Sequence, residues 1–124
     1  MPPPPPLRLT LNTAEPTVGN RFWVDVAVQP LTQAFDAWGV ILGPNNVSYS
    51  FALGQPAALR SGALPLATNV PGLPTAYTGR LFDIAAIPES AKGTYKIIVE
   101  LVPAGVPPFF PIPGYADIRT VKVN

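Results

Sequence analysis

Ser90 and Lys92, two residues apart just ahead of Gly93, are as close as this chain comes to a nucleophile beside a base. A serine with no histidine needs a lysine or carboxylate to take its proton, and the chain has neither histidine nor cysteine. The pair brackets a turn, where it reads as a corner cap. The acids Asp25, Asp36, Asp83, Glu89, Glu100 and Asp117 are dispersed, mostly at outward strand positions. Two could meet across strands as glycosidase acids do, but alternation already explains each one. No D-x-D-x-D loop offers calcium its clustered oxygens. The sequence therefore predicts a chain that is no enzyme and holds no metal or cofactor.

The elements that must position these residues are strands. Gly93-Thr94 leads into Tyr95, Ile97, Val99 and Leu101 at alternate positions, the period of a strand with one buried face. Leu7, Leu9 and Leu11 alternate in the same way, as do Phe22, Val24, Val26 and Val28. Asp36 to Leu42 is apolar on both faces, as a central strand would be. Gly43-Pro44-Asn45-Asn46 turns it back into Val47 to Leu53, with Val47, Tyr49, Phe51 and Leu53 on one side. Gly54 to Ala76 reads as one long apolar loop laid over the core. Thr78 to Ala86 and Tyr115 to Val123 complete about seven strands, hence an all-β, two-sheet antiparallel sandwich.

The 124 residues suit one domain with a single core. Eighteen prolines exclude long helices and must sit in linkers, turns and edges. Residues 1–6 read as a polyproline linker ahead of a domain spanning residues 7–124. Charge is scarce at 12% and nets to +1 with basic residues spread out, so no basic stripe addresses nucleic acid. The longest charge-free stretch contains the Gly43 turn, so no direct membrane span is expected.

From Leu7 to Asn124 the chain resembles the immunoglobulin-like or fibronectin III-like modules of bacterial secreted and cell-surface proteins. The residues carrying this resemblance are the strand pattern, Trp38 on the third strand and Gly93-Thr94-Tyr95 opening the sixth. It implies Trp38 as the central core aromatic and Tyr95 as a corner phenol bonded to backbone near Ile87 to Ser90. It also implies a spacer, adhesion or assembly module, extracellular, at the cell surface or periplasmic. Ser90-Ala91-Lys92 stands where the family often carries an acid. Some surface domains of this kind hold Lys–Asn isopeptide bonds, but Lys96 falls outward and strand one offers only Arg8. Asn46-Val47-Ser48 fits the N-glycosylation pattern, within a turn that favours asparagine anyway.

The remaining candidates are apolar contact residues. Phe109, Phe110 and Ile112 lie in a proline-rich loop between the last two strands, where flanking prolines lower the entropy cost of docking. Trp23 and Ile98 fall out of phase with their core faces and are expected to add an exposed patch. These five residues predict a protein partner or self-association, as in a pilus-like filament. The alternative partner is a sugar, as for a carbohydrate-binding or substrate-docking module, with Trp23, Tyr49, Tyr77 and Phe109 as stacking platforms.

Overall fold

Alternating valines and leucines at the start of the chain and a glycine-led run near its end build the two sheets. The computed structural model describes residues 5–124. Residues 1–4, most of the expected polyproline linker, lie outside the described part. Among the described residues, hydrogen bonding to the domain begins at Pro6, whose carbonyl accepts the Gln29 N–H at 2.7 Å.

Nine strands follow: β1 (Leu7–Leu11), β2 (Phe22–Val28), β3 (Phe35–Leu42), β4 (Ser48–Phe51), β5 (Leu59–Ser61), β6 (Pro65–Val70), β7 (Tyr77–Ile84), β8 (Gly93–Pro103) and β9 (Ala116–Val123). The smaller sheet runs β1-β2-β7; the larger runs β5-β4-β3-β8-β9, with β6 also paired to β3. All pairings within the two sheets are antiparallel. The two sheets enclose Leu7, Leu9, Val24, Phe51, Ile97 and Leu101 among other buried side chains. This is the expected all-β, two-sheet architecture.

The two strands beyond the expected seven come from the long connection. It does not lie as a loop over the core: β5 extends β4, and β6 takes the Phe35–Trp38 half of β3 that β4 leaves open. Arg60 joins the two pieces, its Nη2 donating to the Phe51 and Pro65 carbonyls at 2.7 and 3.0 Å. The Gly43 hairpin is present, with Asn45 and Asn46 in the left-handed region at φ 63° and 60°. Val47 and Leu53 fall outside β4 and stay exposed.

Trp38 is not the core aromatic. The inward side of β3 is Phe35, Ala37, Gly39 and Ile41, so the indole projects from the outer face of the larger sheet. Gly39 shows why. A Cβ there would sit 2.9 Å from Phe51 Cδ2 and 3.0 Å from Leu66 Cδ1, so those two side chains occupy the space an inward Trp38 would need.

Tyr95 does form a corner bond. Its hydroxyl donates to the Ala91 carbonyl at 2.8 Å, one residue beyond the expected stretch, and burial pushes the half-buried phenol's pKa up.

Side chains and a loop cover two of the sheet edges, those of β1 and β9. Leu9 on β1 donates its N–H to Asp117 Oδ2 at 2.9 Å and accepts Arg119 Nη2 at 2.9 Å, which staples one sheet to the other. Residues 14–18 run along the end of β9, with Lys122 N–H donating to Ala14 O and Asn124 N–H to Pro16 O, each at 2.9 Å. Pairing of this kind reduces the free strand groups that the β1 and β9 edges offer as a template for aggregation.

Candidate contact site

The β8–β9 loop is positioned by two buried acids on the outer face of the larger sheet. Asp36 on β3 is 8% exposed and Glu100 on β8 is 3% exposed. The Asp36 carboxylate accepts the Asn69 N–H at 2.8 Å and the Gly105 N–H at 3.1 Å, tying β6 and the start of the loop to one point. The Glu100 carboxylate accepts the N–H of Phe109. A buried carboxylate is retained at a cost unless polar partners satisfy it; here the partners are loop amides.

The loop tip carries Phe109 and Phe110, 61% and 65% exposed. Among the described residues four non-glycine positions have positive φ, and three are asparagines, which tolerate it; the fourth is Phe109 at φ 75°. A bulky aromatic held in that region stores strain, and the surroundings must over-determine it. Glu100 supplies the restraint.

Two expected contact residues are buried instead. Ile112 is 6% exposed and belongs to the core: its N–H donates to Leu101 O at 2.9 Å, which turns the chain inward to plug the end of the sandwich. Tyr115 completes the plug, its hydroxyl donating at 2.8 Å to the carbonyl of Pro30, in the connection just beyond β2. Ile98 does face outward, but its cross-strand neighbours Val40 and Ile118 flank it and leave it 8% exposed. The exposed apolar residue of that row is Ile118, at 58%, which sequence reasoning missed.

Trp23 is half-buried on the outer face of the other sheet, so it makes no patch with Ile98. Its ring carries the Arg80 guanidinium 4.5 Å from the centroid. Arg80 bridges Asp25 at 2.8 Å and Asp83 at 3.0 Å, and Arg21 reaches Asp83 at 2.6 Å. The hydrogen bonds from Arg21 and then Arg80 pull the Asp83 carboxyl down to about 2.

The four aromatics considered as sugar platforms do not share a face. Trp23 lies under Arg80, Tyr49 lines a cavity at the far end of the sandwich, Tyr77 edges a slot between the two sheets, and Phe109 stands on the loop. Lys92 reaches Glu89 at 2.8 Å. No group of three metal-ligating side chains gathers among the described residues, and no described helix is long and apolar enough to cross a membrane. Comparison with protein-family models, curated proteins and solved structures finds no significant match.

Proposed function

We propose that this chain is a non-catalytic module that works by protein–protein contact through the Phe109–Phe110 tip, as part of an extracellular, cell-surface or periplasmic assembly. The observation that carries this reading is the pairing of two adjacent exposed phenylalanines with a strained Phe109 backbone fastened to a buried acid. Binding hot spots are few, large and aromatic, and a restrained loop loses less entropy on docking. The strand order supports an immunoglobulin-like module. β1-β2-β7 faces β4-β3-β8-β9, and residues 14–18 cross from one sheet to the edge of the other. Such sandwiches host many functions, so the site carries the inference and the fold only frames it.

The simplest partner to test is a second copy. Sedimentation over a concentration series should show self-association that Phe109→Ser with Phe110→Ser weakens by about 30-fold or more. A wild-type chain that stays monomeric, or association unchanged in the double variant, would count against self-contact through this loop.

A further inference from the structure

At the end of the sandwich opposite the phenylalanine loop, the packing between the two sheets is incomplete. A cavity of about 270 Å³ lies between them, lined by Phe22, Phe82, Ile41, Ile97, Tyr49 and Tyr95 among others. Native cores leave few voids larger than one water molecule, and a dry cavity near 150 Å³ already accepts a benzene ring. The walls are pinned. Ile87 exchanges backbone bonds with the β2 approach, donating to Asn20 O at 3.0 Å and accepting from Gly19 N at 2.8 Å. The Tyr95–Ala91 bond tethers the short turn Glu89–Ala91 beside the opening.

We propose that this cavity is a binding site for a small uncharged aromatic molecule of one or two rings bearing a single hydroxyl. The chemistry of the wall sets that class. No charged side chain among the described residues lines the cavity, so no ion would be matched there. Its polar side chains are the hydroxyls of Tyr49, Tyr95 and Ser90. The Tyr95 proton is committed to Ala91, which leaves Tyr49 and Ser90 to meet one polar group. A largely pre-formed apolar pocket with few polar groups is the usual form of a small-molecule site. This site is independent of the loop and of any partner there.

The probe is 2-naphthol, titrated into the full chain and followed by amide chemical shifts and thermal melts. Shifts should saturate with a Kd between about 10 μM and 1 mM, concentrate on residues lining the cavity, and accompany a rise in melting temperature. Ala91→Leu fills the space and should weaken binding at least tenfold. Tyr49→Phe should weaken 2-naphthol several-fold while leaving naphthalene unchanged, and this comparison stands even if the Ala91 variant fails to fold. Non-saturating shifts, shifts centred on Phe109–Phe110, or equal loss of both probes on Tyr49→Phe would overturn the assignment.

Discussion

The carboxylate of Glu100, 3% exposed on the outer face of β8, accepts the backbone N–H of Phe109 nine residues later. That bond converts a proline-rich connection into a fixed ledge for two phenylalanines. Removing the acceptor strands an amide whose desolvation is worth about 1–3 kcal/mol. Glu100→Ala should therefore lower stability by that order and speed hydrogen exchange at Phe109. Glu100→Gln keeps an acceptor oxygen and should lose less than half as much. Equal losses in denaturant titrations of the two variants would remove the role assigned to this bond.

Phe109 offers a sharper test of strain. Its φ of 75° suits glycine better than any side chain. Relief of strain near 1–3 kcal/mol opposes a glycine entropy cost near 0.5–1 kcal/mol, so Phe109→Gly should leave stability unchanged or raise it by up to about 2 kcal/mol. Phe110→Gly, with no positive φ to relieve, should not stabilise. Urea denaturation of both variants decides between strain and a relaxed loop.

Asp83 predicts a pH effect. Its folded pKa, about 2, lies below the ordinary carboxylate value of 3.8. A depressed acid contributes stability above its unfolded pKa and loses it as pH falls through the folded one. Stability should therefore decline between about pH 4 and pH 2, and Asp83→Asn should flatten that decline. The pairs of Asp83 with Arg21 and Arg80 are solvated, so the slope should be shallow and should weaken further in salt. An identical slope in the variant would mean that other acids set it.

Strands with one wet face were legible in the sequence, because alternation reports directly which side is buried: β1 and β2 carry it, and in β8 it marks the inward row although the outward Ile98, Glu100 and Val102 are covered as well. β3 was not, since Asp36 to Leu42 is apolar on both sides and period two then fixes no phase. The choice of Trp38 followed the family likeness; Gly39 held the contrary signal, because a glycine amid large residues marks a close approach. Gly39→Ala should accordingly cost about 1–3 kcal/mol in a thermal melt by crowding Phe51 and Leu66. An unchanged melt would reopen the strand phase. β6 was hidden by its opening Pro65 and by pairing with a strand 30 residues away. Ile98 and Ile112 were misplaced for a related reason: their burial depends on neighbours and a loop return that local periodicity does not encode. Asp36 and Glu100 read as outward acids; that loop amides would seal them was not visible in the spacing.

The exposure of the two phenylalanines is the claim on which the contact reading stands, and one melt tests it. Phe109→Ser with Phe110→Ser removes two large rings. If they cover no core, the double variant should unfold within about 1 kcal/mol of the wild-type chain, the range of surface substitutions. If they plug the sandwich beside Ile112 and Tyr115, the loss should reach about 3 kcal/mol or more for each ring. A melting curve that barely moves is the predicted result; a collapse in stability would contradict it.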